Sequence, residues 1–127
     1  MITHILLISI GAGVGALMRF GLTAAVSGAL GGNFPFGTLV VNVSGSAAIG
    51  FLFILLSGKP FFEDIWRPLL IIGMLGGFTT FSAFAFETLR LMESDNFLLA
   101  MANIMSNVFF CIAGCWLGCQ VAKIFMK

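Results

Sequence analysis

The sequence predicts an all-α integral membrane protein, a single four-helix transmembrane bundle whose third helix is broken. Three observations predict it. Charged residues make up only 9% of the 127 residues, and mean hydropathy is +1.13. An average soluble domain carries roughly 25% charged residues, so this chain cannot cover a water-facing surface. Four apolar blocks, residues 3–29, 36–57, 66–92 and 97–125, each exceed the ~20 residues needed to cross a ~30 Å hydrocarbon core. Within the third block, Gly76-Gly77 interrupts an otherwise helical run. Opened backbone at membrane depth is tolerated only where it is buried in protein or lines a watery cavity, so this stretch marks a candidate functional site.

The connections, residues 30–35, 58–65 and 93–96, are short and rich in Gly, Pro, Asp, Asn or Lys. Short links make successive helices neighbours, which gives one domain over residues 1–127 with both termini on the same side. The first block is too long, and too directly followed by a second, to be only a cleavable signal. Helix axes pack ~8–10 Å apart, so a four-helix bundle has no natural lumen. A conducting pathway would have to form between subunits, and an oligomer is expected. Net charge is +1, which excludes a polybasic surface for nucleic acid. Lys59, Arg67, Lys123 and Lys127 fall on the side of the termini and Arg90 on the other. This favours a cytoplasmic N-terminus by a margin small enough to be compatible with mixed orientation.

In the first span, Gly11 and Gly15 form a small-xxx-small pattern for close helix contact. The glycine run has neither the spacing nor the preceding strand of a nucleotide-binding loop. Arg19 follows it and reads as a paired or snorkelling arginine with a structural role. The second span carries one amide, Asn42, which either ties helices together or donates to something in a pathway. Ser44 and Ser46 flank Gly45 at a close contact.

After the glycine pair, the third span holds Thr79, Thr80, Phe81, Ser82, Phe84 and Glu87. Phe81 and Phe84 share a helical face. They are core packing, or they turn positive ring edges toward an anion without the grip of a full charge. Glu87 sits near a watery end of the span, pairs with Arg19 or Arg90, or relays charge; Arg90, three residues on, offers a local ion pair. In the fourth span Asn103 and Asn107 lie on one stripe that stitches helices together or supplies a polar track. Cys111, Cys115 and Cys119 recur along one face beside Gly114 and Gly118. They read as small packing residues, because no histidine or carboxylate stands near in sequence to complete a metal site. The only histidine is His4, and no nucleophile–base pair or paired carboxylates occur within the spans, so an enzyme is not expected.

Three segments carry a family resemblance: Gly-Gly-Phe-Thr-Thr-Phe-Ser-Ala-Phe (Gly76–Phe84), Gly-Thr-Leu-Val-Val-Asn (Gly37–Asn42) and Gly-Ala-Leu-Met-Arg (Gly15–Arg19). They resemble the Fluc, or CrcB, fluoride channels, and the similarity runs over essentially the whole chain. The resemblance implies an antiparallel homodimer with two anion pores and dual-topology insertion in the bacterial inner membrane. Its implied function is passive export of cytoplasmic fluoride. It implies that Asn42 donates to fluoride, that Phe81 and Phe84 face the pore, and that Thr80 and Ser82 stand nearby. It also implies a structural Na⁺ at the dimer axis, held by backbone carbonyls of Gly76 and Thr79. Many relatives carry Tyr and Ser where Asn103 and Asn107 fall. The rival readings are a small multidrug-resistance-type exchanger and a non-transporting assembly subunit. The exchanger needs a carboxylate in the middle of the first span, where this chain has none.

Overall fold

A computed structural model describes residues 1–58 and 60–126, without the side chain of Phe62; Lys59 and Lys127, part of the charge bias above, lie outside the described residues. The elements are α1 (Ile2–Leu30), α2 (Phe36–Leu56), α3 (Phe62–Leu75, continued by a single turn Gly76–Phe78), α4 (Phe81–Glu93) and α5 (Phe97–Phe125). Counting α3 and α4 together as Glu63–Glu93, the described residues hold four helices, of 29, 21, 31 and 29 residues, that are long and apolar enough to cross a membrane. At ~1.5 Å per residue even the shortest reaches ~30 Å. The protein is an all-α, multi-pass membrane bundle.

Lipid is as apolar as leucine, so burial of side chains from water does not hold these helices together; close packing and hydrogen bonds do. The most extensive pairings are α2 on α5 and α1 on α3, and glycines explain both. A Cβ on Gly50 of α2 would run into the Cys115 carbonyl of α5, and one on Gly118 into the Ala47 carbonyl of α2. Along α1, Gly11 and Gly15 abut the Leu69 and Met74 carbonyls of α3, while Gly77 abuts the Ala12 backbone. Cys119 adds a weak bond across the α2–α5 seam, its Sγ lying 3.4 Å from the Gly50 carbonyl oxygen. A small apolar centre of Val41, Leu75 and Phe78 sits between the pairs. Most large apolar side chains point outward.

Two features of the third span depart from the simplest reading. Phe62–Leu75 winds as a π-helix around Pro68, starting upstream of the apolar block. A proline cannot donate and its ring crowds the carbonyl one turn back, and the wider winding accommodates both defects. Glu63 and Asp64 in the first turn suit the positive end of the helix dipole, and Glu63 pairs with Arg67 at 2.9 Å.

The break itself lies one step beyond the glycines. Gly76 keeps helical dihedrals (φ −64°, ψ −38°) and begins the last turn. Extended backbone comes at Thr79 (φ −76°, ψ 158°) and Thr80 (φ −153°, ψ 116°). The expectation of a break at the glycine pair is therefore corrected. Gly77 serves the close approach to Ala12, and the β-branched threonines, which favour extended backbone, carry the opening.

Gly50→Val or Gly118→Val is expected to destabilise the fold by about 1–3 kcal/mol through overpacking of the α2–α5 seam. Gly28→Ala, where an added Cβ meets nothing within 4 Å, is expected to be neutral. Thermal unfolding and size-exclusion profiles in detergent check both.

Candidate functional site

Opening a helix inside a membrane frees backbone groups that need partners. At this break the partner is Asn42 of α2. Its Oδ1 accepts from the Thr80 N–H at 2.8 Å, and its Nδ2 donates to the Thr80 carbonyl at 3.0 Å. The side-chain amide thus pairs with residue 80 as a neighbouring β-strand peptide would. Arg19 of α1 reaches the other extended residue, its Nη1 lying 3.3 Å from the Thr79 carbonyl oxygen. The structural role expected of Arg19 is therefore at the break. Thr80 also starts α4: its Oγ1 accepts from the Ala83 N–H at 3.2 Å and lies 3.2 Å from the Ser82 hydroxyl.

From Asn42 a buried network runs into α5 and returns to α4. The Asn42 Nδ2 donates to the Asn107 Oδ1 at 3.0 Å. The Asn107 Nδ2 donates to the Asn103 carbonyl at 3.1 Å and to the Asn103 Oδ1 at 2.9 Å. The Asn103 Nδ2 donates to the Thr88 Oγ1 at 2.9 Å, and the Thr88 hydroxyl donates to the Phe84 carbonyl at 2.7 Å. Both ends of the chain are backbone groups of fixed polarity, which fixes the orientation of every amide between them.

A cavity of about 370 Å³ opens beside this network, lined by Asn42, Thr80, Phe81, Phe84, Asn107 and Cys111 among others. The two rings meet at 5.2 Å between centroids, tilted 62°. Phe84 is buried, whereas Phe81 is 78% exposed at the protein surface. The cavity therefore opens to the protein surface at Phe81. A second cavity of about 600 Å³ lies by the α4–α5 turn, where Glu87, Arg90, Glu93 and Asn33 contribute to its lining. Of these lining residues, Glu87 is bonded to α2. Its Oε1 accepts from Thr38 at 2.7 Å, and its Oε2 is buried with no hydrogen-bond partner among the described residues. Glu87 is thus held by a hydroxyl on α2, and the pairing with Arg90 or Arg19 weighed from sequence is not formed.

The structure gathers Asn42, Thr80, Phe81, Phe84 and Asn107 at one cavity and joins Asn103 to them through hydrogen bonds. Ser82 touches this group through Thr80. Sequence reasoning missed Thr38 and Thr88. Thr38 lies one helical turn before Asn42, on the same face, which is the signal that could have found it.

A multi-pass bundle with a discontinuous helix, whose opened backbone borders an amide-lined cavity, has the architecture with which membrane proteins build ion and solute pathways. A family model described as "CrcB-like protein, Camphor Resistance (CrcB)" matches residues 6–119, and the chain belongs to this CrcB family. Similar proteins include the "Fluoride-specific ion channel FluC" of Coxiella burnetii (strain CbuK_Q154), 43% identical over 94% of this chain and 98% of the relative. Proteins of the same description from Rhodospirillum rubrum and Roseiflexus sp. (strain RS-1) are each 41% identical. They cover 89% and 95% of this chain, and 89% and 98% of the relative, respectively.

Asn42→Ala would orphan the buried N–H and C=O of Thr80, at about 1–3 kcal/mol for each group left unpaired. The variant is expected to unfold measurably earlier than the parent in detergent, read by thermal or denaturant midpoint.

Proposed function

We propose that this chain is a fluoride-selective channel that lets cytoplasmic fluoride leave the cell passively. The observation that carries the reading is the cavity at the break, where amide groups and two phenylalanines meet, in a chain whose relatives are described as fluoride-specific channels. It is a channel and not an enzyme.

The chemistry of the residues suits the task. Fluoride holds its hydration shell tightly, and N–H and O–H donors of Asn42, Thr80 and Ser82 can replace water around it. Phenylalanine edges carry a partial positive charge, so Phe81 and Phe84 attract an anion weakly enough for it to leave again. Hydrogen fluoride crosses lipid as the neutral acid and ionises in a more alkaline cytoplasm. A negative-inside potential then favours exit of the anion by ~2.3 kcal/mol per charge at 100 mV.

A second copy completes the site. Phe81 is 78% exposed beside an open cavity, and a partner protomer covers it more economically than lipid covers a watery path. We read the assembly as an antiparallel homodimer inserted in both orientations, in keeping with the small positive-charge bias.

A sodium ion fits the break. The Thr80 N–H turns to Asn42, so the Gly76 carbonyl lacks its usual helical partner four residues on. The Thr79 carbonyl accepts only a long bond from Arg19 and keeps a second lone pair. Carbonyl oxygens suit a hard cation. Gly76 and Thr79 would hold the ion, which supplies positive charge and a link between two copies.

Fluoride efflux from proteoliposomes, driven by a valinomycin-set potassium potential, is expected to be fast in a preparation that releases no chloride; no efflux from folded protein would overturn the reading and return the exchanger and assembly alternatives. Phe81→Ile and Phe84→Ile are each expected to cut fluoride throughput by tenfold or more, on the order of the loss of ~1.4 kcal/mol at the barrier. Replacing Na⁺ by a bulky organic cation during purification is expected to abolish conduction; retained conduction would remove the ion's structural role.

A further inference from the structure

The Asn42 amide has two hydrogens on Nδ2, and both are engaged: one by the Thr80 carbonyl and one by the Asn107 Oδ1, each at 3.0 Å. An anion that takes a hydrogen bond from Asn42 must therefore displace one of these acceptors. The two are not equivalent. The Thr80 bond is one half of a reciprocal pair, whose loss would strip the opened backbone of its partner. The Asn107 bond is single, and Asn107 itself stays anchored through its Nδ2 to the Asn103 carbonyl and Oδ1. Its orientation is fixed as well, because the Asn103 backbone carbonyl can only accept, which turns the Asn107 oxygen toward Asn42. Asn42 and Asn107 are both buried, and both line the cavity that Phe81 and Phe84 border.

We propose that the side-chain carbonyl of Asn107 is a resident competitor for the permeating anion. It occupies the Asn42 N–H that fluoride must take, so residue 107 sets how tightly the site holds fluoride. This rests on the reading that Asn42 donates to the anion. Asn107 does not touch the ion through a donor of its own, since both of its N–H groups point to Asn103. It is a positioning residue that keeps Asn42 satisfied between ions and releases it when one arrives. A competitor of this kind weakens binding and speeds exit.

The test is fluoride current against fluoride concentration in planar bilayers, using the whole protein. Asn107→Ala removes the competing oxygen and is expected to lower the half-saturating concentration about threefold to tenfold, which is ~0.6–1.4 kcal/mol and within the range of an interhelical hydrogen bond in a membrane. Asn107→Asp gives up the Nδ2 anchor to Asn103 but sets a charged, stronger acceptor against the Asn42 amide, and is expected to raise that concentration. Asn103→Ala leaves the Asn103 carbonyl as anchor and is expected to leave it unchanged. A merely structural network would instead lower throughput in all three with no shift in half-saturation, which overturns the proposal. Should the variants not fold, the parent chain carrying ¹³Cγ-labelled asparagine decides. Fluoride titration is expected to move the Asn107 resonance as its bond to Asn42 is lost, and an unmoved resonance overturns the proposal. Asn42→Asp separates the two layers of the argument. If it conducts like the parent, the anion reading itself falls; if it is silent while Asn107→Ala leaves half-saturation unchanged, the competitor alone falls.

Discussion

The reciprocal pair between the Asn42 side chain and the Thr80 backbone is the constraint on which the rest depends. A helix crossing a membrane satisfies its own backbone, and a pathway needs backbone and donors that are not so consumed. The chain resolves the conflict by opening one residue fully and pairing it with an amide of matching shape. Thr80 keeps both of its hydrogen bonds, at 2.8 and 3.0 Å, without being helical. The opening can then stay open in a medium where an unpaired peptide group costs several kcal/mol.

Everything around the pair keeps Asn42 where it is. Glycines at positions 11, 15 and 77 let α1 and α3 approach until Arg19 reaches the Thr79 carbonyl. Glycines at 50 and 118 bring α2 against α5, so that Asn42 meets Asn107. Thr88 then ties α5 back to α4 just below Phe84. The same contacts that replace a hydrophobic core in lipid therefore orient the polar groups beside the cavity. Exposed Phe81, by contrast, packs edge-on against Phe84 at the mouth of the cavity.

The fold was legible because its signals are local. Block length, scarcity of charge and short links decide four spans without reference to any contact. The site was legible in part. Asn42, Asn103 and Asn107 stood out as amides that a membrane does not accept without reason, and spacing placed Phe81 with Phe84. Their partners were not legible, because each is a tertiary contact: Asn42 with a backbone 38 residues away, Thr38 with Glu87 across 49. Sequence favoured an ion pair for Glu87, since Arg90 lies one turn on, yet α2 packs close enough to supply a hydroxyl instead. The glycine pair pointed to the right neighbourhood for the wrong reason. Its missing side chains serve helix contact, and the opening belongs to the threonines that follow. The π winding around Pro68 had a visible cause, but propensity alone does not say whether such a proline kinks, ends or widens a helix.

The most direct test of this account is amide hydrogen exchange at Thr80, measured by NMR in nanodiscs for the parent chain and for Asn42→Ala. The account predicts a Thr80 N–H protected like a helical amide in the parent, although its backbone is extended and borders a cavity, and a loss of that protection in the variant. A Thr80 amide that exchanges freely in the parent, or is equally protected without Asn42, would contradict the claim that this one side chain holds the helix open.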